Sequence, residues 1–293
     1  MSEQNALRKH AHSYIGIDIG GTSTRVGLFH TLAQPEFTLL DRFPTQQNYR
    51  QQIHALVAAV KRGQGDLLEG AGVSIGGRIA QDGRSLLFAP NMTNSIGKPF
   101  ALDLEQQLGC PVRLAHDTVC GLLGEKKFGT IRGSERCAYV TISTGTGAAF
   151  QLRKGAHAFT VSTDIGHQIL DGNTLLCLCG QVGCLETFTG GRQLALRLGH
   201  ALEQETSRAF WETFSEKLAI GLINLTQLAK VETVAISGAI ALNQTFLLPL
   251  IQQKIEHRLV GSTLRLYPAL LGENAPLVGA ATLLEVPEEM IIH

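Results

Sequence analysis

Six cysteines stand in the 293-residue chain, and three of them, Cys177, Cys179 and Cys184, fall within one short stretch. His167 precedes them. One imidazole and three thiolates make a complete tetrahedral set for zinc, with no position left for water, which describes a structural metal. Gly180 and Gly183 permit the tight turns that would bring Cys179 and Cys184 onto one ion. The plainer alternative is three reduced thiols in a loop beside an unrelated histidine, because C-x-C is tighter than the usual finger spacing. A redox pair has no C-x-x-C to support it. Cys110, Cys120 and Cys137 show no ligand spacing and read as buried thiols.

The second chemical signal is glycine, at 32 residues. Asp18-Ile-Gly20-Gly21-Thr22 and Ser143-Thr144-Gly145-Thr146-Gly147 share a design in which backbone N–H groups can approach an anion with hydroxyls beside them. An acidic residue at Asp18 opposes phosphate unless a cation intervenes, and a Mg²⁺ bridge to phosphate oxygens would resolve the conflict. Each turn alone reads equally as a tight hairpin. Neither fits the P-loop, and no G-x-G-x-x-G opens a helix here.

The elements that must position these residues repeat. Tyr14–Gly20 and Arg25–Phe29 read as two strands of a glycine hairpin, with Glu36–Phe43 as a third strand. Tyr49–Lys61 carries Ile53, Leu56, Val57 and Val60 at helical spacing. Buried-type strands follow at Ala71–Ile75 and Pro111–Ala115. The second half begins again at Cys137–Ser143, with a glycine turn and a return strand at Ala148–Leu152. Phe210, Phe214, Leu218, Leu222, Leu225 and Leu228 then form one helical stripe. A strand at Val231–Ile236, a helix over about Asn243–His257, a strand at Thr263–Leu266 and a helix over about Ala275–Leu284 complete the order. The pattern predicts a duplicated α/β unit with a cleft between its halves and Gly124–Ser134 as the hinge.

The run from Gly166-His167 to Glu186, in the form G-H-x₉-C-x-C-G-x-x-G-C-x-E, resembles the signature of the ROK family of sugar kinases and related repressors. Asp18–Arg25 is similar to that family's first phosphate motif. Gly72–Gly77, Pro90-Asn91, Gly109–Pro111 and Leu277–Ala281 fall in the family's order, so the likeness runs from Tyr14 to about Leu284. It implies the actin-like ATPase fold with duplicated ribonuclease-H-like halves. The lobes would be 1–118 and 119–293, the zinc loop lying at 167–186 and a last helix, about 275–293, packing back on the first lobe.

The resemblance also implies roles. Asp117 takes the place of the family's catalytic base, although its position ahead of Thr118–Leu123 equally suits a helix N-cap. Asn91, His116, Asp164, His167 and Glu186 would contact the sugar, with His167, Cys177, Cys179 and Cys184 on structural zinc. Gly20, Gly21, Thr22, Thr144, Gly145, Thr146 and Gly147 would take the phosphates of ATP with Asp18 and Mg²⁺, and Gly238 and Ala239 the adenosine. The sequence departs from the family in four places. His116 stands for Asn, Asp164 for Glu, and Ala148 and Ala149 for glycines, while the stretch between Glu186 and Val231 is shorter. The first two departures touch the sugar and so its choice.

Lys and Arg number 25, as do Asp and Glu, so no basic footprint marks a nucleic-acid binder. No apolar run reaches the roughly 18 residues of a spanning helix, and the start lacks a secretory h-region. A cytoplasmic protein is expected, with a small sugar as partner and, by the resemblance, a homodimer. Only 13 residues precede Tyr14, so a DNA-binding repressor is not expected. The expected activity is ATP-dependent phosphorylation of a hexose or N-acetylhexosamine at its primary hydroxyl. A non-catalytic sugar sensor of the same fold is the alternative.

Overall fold

The computed structural model describes residues 12–63, 67–89 and 92–293. Their contacts divide into two units: the described residues up to Gly124 with Pro276–Ile291 and His293, and Glu125–Ala275 with Ile292.

In the first unit, β1 (His12–Ile19) and β2 (Ser23–Phe29) form the glycine hairpin, followed by β3 (Thr38–Pro44) and α1 (Tyr49–Gly63). Strand β4 (Leu67–Ile75) and the short β5 (Arg78–Ile79) and β6 (Leu86–Phe88) come next. Then come α2 (Phe100–Leu108), β7 (Val112–His116) and α3 (Asp117–Phe128). The sheet order is β3-β2-β1-β4-β7, with β1 antiparallel to β2 and parallel to β4. Ile15, Ile17, Val26, Val73 and Ile75 bury against Leu56 and Val60 of α1 and Phe100 and Leu104 of α2. Each such side chain contributes roughly 1.5–3 kcal/mol of apolar burial. Tyr49 Oη donates to Asp103 Oδ2 at 2.6 Å and joins the two helices.

The second unit repeats the plan. Its strands are β8 (Cys137–Ile142), β9 (Thr146–Lys154), β10 (His157–Thr163), β11 (Thr233–Ser237) and β12 (Arg265–Pro268). They run in the order β12-β11-β8-β9-β10. Among these five, three antiparallel strands beside two parallel ones repeat the pattern of the first sheet, with β8 in the place of β1, and a short sixth strand at Ile291–Ile292 lies beyond β10. The helices are α4 (Glu186–Thr189), α5 (Gly191–Leu198), α6 (Arg208–Ala229), α7 (Ala239–Asn243) and α8 (Leu247–Arg258). On α6, Trp211, Phe214, Leu218 and Leu222 face the core, and Ser207 Oγ caps its start by accepting from the Phe210 N–H at 3.3 Å.

Helix α9 (Ala275–Thr282) lies in the first unit from Pro276 onward. It seats on glycines: a Cβ at Gly72 would stand 1.7 Å from the Ala280 carbonyl oxygen, and one at Gly279 would stand 1.6 Å from that of Cys120. No side chain fits at either place.

The duplicated α/β plan holds. Several bounds differ from the sequence expectations. Gly124–Ser134, expected as a hinge, begins inside α3, which continues through Phe128 with the unit boundary at Gly124. The helix expected over Asn243–His257 is α8, which starts later, at Leu247, because α7 ends at Asn243 and Gln244 leaves the helical region at φ −104° and ψ 85°.

Candidate active site and metal centre

Asp18 stands on β1 directly opposite Arg25 on β2. Its Oδ2 accepts from Arg25 Nη2 at 2.8 Å and Nε at 3.3 Å, and its Oδ1 accepts from Ser74 Oγ at 3.0 Å. Burial pushes its carboxyl above the usual range; Arg25 and Ser74 pull it back in part, and Asp117 adds to the rise. The Asp18 carboxylate is therefore paired with a guanidinium within the hairpin. Gly21 and Thr22 are exposed at the turn tip, while the Gly20 N–H closes the turn on the Ser23 carbonyl at 3.0 Å.

Asp117 sits where β7 passes into α3. Its Oδ1 is buried with no hydrogen-bond partner among the described residues. Nδ1 of His116 lies 3.0 Å away, a contact of charge rather than an aligned hydrogen bond, and is itself 2.7 Å from Thr118 Oγ1. Burial pushes the Asp117 carboxyl up, but His116 and the Thr118 N–H outweigh it and hold it below the ordinary value. The group is thus an ionised acceptor at neutral pH, with His116 beside one oxygen. Gly76, at the end of β4, leaves space beside it: a Cβ there would be 3.6 Å from Asp117 Oδ2. Asn91 lies outside the described residues.

In the second unit, the Ser143–Gly147 turn is held from behind. The Ser143 and Thr144 carbonyls accept from the N–H groups of Gly191 and Arg192, at 2.8 and 2.9 Å. The Thr146 N–H donates to Glu186 Oε2 at 2.8 Å, and Thr146 Oγ1 is 2.7 Å from Thr189 Oγ1. Thr146 is thereby engaged, while Thr144 is exposed at the turn and Gly145 and Gly147 are half-buried. Gly238 has φ +93°, and a Cβ there would meet the Ile142 carbonyl oxygen at 2.2 Å, so only glycine brings β11 and Ala239 this close to the turn. Asp164 opens the short 3₁₀ turn Ile165–His167, where the His167 N–H donates to the Asp164 carbonyl at 2.8 Å. A Cβ on Gly166 would stand 2.3 Å from the Thr146 carbonyl oxygen and 3.2 Å from Glu186 Oε2, so that turn packs directly on the glycine turn and the carboxylate.

His167, Cys177, Cys179 and Cys184 converge, with ligand atoms all within 4.8 Å of one another. Cys179 and Cys184 sulfurs are 3.7 Å apart, and Cys177 Sγ is 3.9 Å from His167 Nδ1. Four ligands on a tetrahedral zinc with bonds near 2.3 Å stand about 3.8 Å apart, so the set fits the ion. Two carboxamides also donate to the sulfurs: Gln181 Nε2 to Cys184 at 3.1 Å and Gln193 Nε2 to Cys177 at 3.1 Å. Without a cation, burial and the neighbouring sulfurs push the Cys184 thiol up to about 12. The cluster is built for a charge of opposite sign.

Sequence reasoning missed Arg25, Ser74, Gln181 and Gln193. Arg25 was within reach, because counting back through a hairpin closed at Gly20–Thr22 places it opposite Asp18. The two glutamines carry no local signal.

Two copies of one sheet plan, each with a glycine turn, and a carboxylate at a strand-to-helix switch are the plan of the actin-like ATPase fold of sugar kinases. The chain belongs to the ROK family, whose profile matches residues 14–286. It is similar to the N-acetyl-D-glucosamine kinase of Escherichia coli, at 27% identity over 92% of this chain and 98% of that one. The xylose repressor of Bacillus subtilis is 26% identical over 74% of this chain, which spans 61% of the repressor's length. Among solved structures, a ROK family glucokinase from Streptomyces griseus in complex with glucose and AMPPNP superposes with a TM-score of 0.73 at 25% identity, covering 92% of this chain and 98% of that one. Among the described residues no helix is long and apolar enough to cross a membrane.

Proposed function

We propose that the chain transfers the γ-phosphoryl group of ATP to the primary hydroxyl of a hexose or N-acetylhexosamine, with Asp117 as the base. The observation that carries this reading is the Asp117 carboxylate at the switch from β7 into α3, held below its ordinary pKa by His116, with a buried Oδ1 that lies 3.0 Å from His116 Nδ1 but accepts no aligned hydrogen bond. A sugar hydroxyl would supply one. As its oxygen bonds to the γ-phosphorus, the hydroxyl proton passes to Asp117 and the bond to the β,γ-bridging oxygen breaks, releasing ADP. Mg²⁺ carried in with the nucleotide supplies charge neutralisation on the phosphates.

Gly20, Gly21 and Thr22, like Thr144, Gly145 and Gly147, offer backbone N–H groups and hydroxyls for phosphate; Gly238 and Ala239 take the adenosine. Glu186, His116, Asp164 and His167 accept or donate at sugar hydroxyls, and a carboxylate accepting from a hydroxyl discriminates strongly between epimers. His167, Cys177, Cys179 and Cys184 hold zinc, which fixes the loop leading into Glu186 and takes no part in the chemistry. The N-acetylglucosamine kinase and glucokinase relatives support this substrate class. Similarity to a xylose repressor supports a second reading, a sugar-binding protein without turnover.

One experiment separates the two. ADP release is measured over glucose, mannose, fructose, allose, N-acetylglucosamine and N-acetylmannosamine, with Asp117→Asn as control. Turnover of one sugar, lost by about 10²–10⁴-fold in the variant, is expected. Sugar binding with no turnover would leave the second reading standing, and equal turnover by Asp117→Asn would remove the base assignment.

A further inference from the structure

Gln193 lies in the first turn of α5 and is only 9% exposed. Its Nε2 donates to Cys177 Sγ at 3.1 Å and to Glu186 Oε1 at 3.2 Å. Its Oε1 accepts from the Leu178 N–H at 3.3 Å, between two of the cluster's cysteines. A sulfur and a carboxylate require a donor and an N–H requires an acceptor, so all three partners select one orientation of the amide. Both amide hydrogens thus go to groups that are anionic when the metal is bound.

The other oxygen of Glu186 accepts from Thr146. A continuous chain of polar contacts therefore runs from the cysteine cluster through Gln193 and Glu186 to the second glycine turn. Glu186 also follows Cys184 closely along the backbone, but that link fixes only where its Cα lies. The direction of its carboxylate is set by Gln193 on one oxygen and Thr146 on the other.

We propose that Gln193 is a positioning residue that couples the metal-bearing thiolates to the Glu186 carboxylate and so sets the angle at which that carboxylate meets the sugar. The kinetic half of this inference rests on the sugar-kinase reading; the bond from Gln193 to the cluster does not. Groups that hydrogen-bond to metal ligands orient them, and their loss typically costs about 10–100-fold in metal affinity or activity.

The test compares the full chain with Gln193→Met, which keeps the length and removes both donors, and Gln193→Glu, which keeps the acceptor for Leu178 alone. Each is loaded with Co²⁺ in place of zinc. An N–H donated to a thiolate lowers the energy of its lone pair. Losing that donor is therefore expected to move the sulfur-to-cobalt charge-transfer band to longer wavelength and to speed metal release to a chelator by about tenfold. The sugar KM is expected to rise about tenfold while the ATP KM stays within about twofold.

An unmoved band with unchanged release in both variants overturns the proposal, as does an ATP KM that rises in step with the sugar KM. If Gln193→Met fails to fold, Gln193→Glu carries the same readouts. A wild-type chain that phosphorylates none of the sugars overturns the kinase reading instead, and the band and release rate then decide the Gln193 link by themselves.

Discussion

The carboxylate of Glu186 accepts a hydrogen bond from the backbone N–H of Thr146 at 2.8 Å, across 40 positions of sequence. The residue that follows the cysteine loop is thereby fastened to the second glycine turn within one unit. A change made at either residue is felt at the other.

Glu186→Gln is expected to raise the sugar KM by about 10–100-fold, the effect of losing a hydrogen bond to a charged group of about 1.5–3 kcal/mol. The amide oxygen still accepts from Thr146, so the ATP KM should change little, while the new NH₂ faces the Gln193 donor and loses that bond. Steady-state kinetics with each substrate varied in turn checks this.

His116→Asn should shift the acid limb of kcat/KM to higher pH. The imidazole beside Asp117 helps hold its carboxyl below the ordinary value. Removing it raises that pKa, so the base takes up its proton, and is lost, at a higher pH than in wild type. Profiles over pH 4–8 test the sign; an acid limb that stays in place or moves down excludes His116 as the cause.

Arg25→Met leaves Asp18 buried without its counter-charge, and breaking such a pair costs about 3–5 kcal/mol. The Asp18 carboxyl already titrates above its unfolded value. The folded variant therefore binds that proton more readily than the unfolded chain, and the deficit, full when Asp18 is ionised, should shrink as pH falls. Denaturant unfolding at pH 7 and pH 5 measures it, and Arg25→Met combined with Asp18→Asn should recover most of the loss.

Elemental analysis of the purified chain is expected to give about one zinc per molecule. Cys184→Ser should abolish it. A loss of about 3 kcal/mol from a unit of this size lowers Tm by roughly 6–12 °C, readable in a thermal melt with and without chelator. A folded, zinc-free wild type of unchanged Tm would remove the metal assignment.

Much of this was legible because it is local. The strands about Asp18 and Cys137 declare themselves by β-branched runs ended at glycines, and His167 with Cys177, Cys179 and Cys184 by spacing. Asp117 is visible as a carboxylate before a helix, yet the setting of its Oδ1 depends on how His116 and Thr118 pack. Gln193 looks like any helical glutamine until Cys177 and Glu186 are brought to it. The boundary between the units falls at Gly124/Glu125, inside the stretch Gly124–Ser134, but α3 runs across it to Phe128, since a glycine costs a helix only about 1 kcal/mol, which packing overrides.

The glycine seat of α9 has a consequence for how the chain is made. The first unit draws its sheet from residues before Gly124 but its last helix from Pro276 onward. About 150 residues must be synthesised between the two, roughly 8–30 s at 5–20 residues per second. During that time the faces of Gly16 and Gly72 that receive Leu277 and Ala280 stay open. The unit begun first on the ribosome is completed last, after that interval.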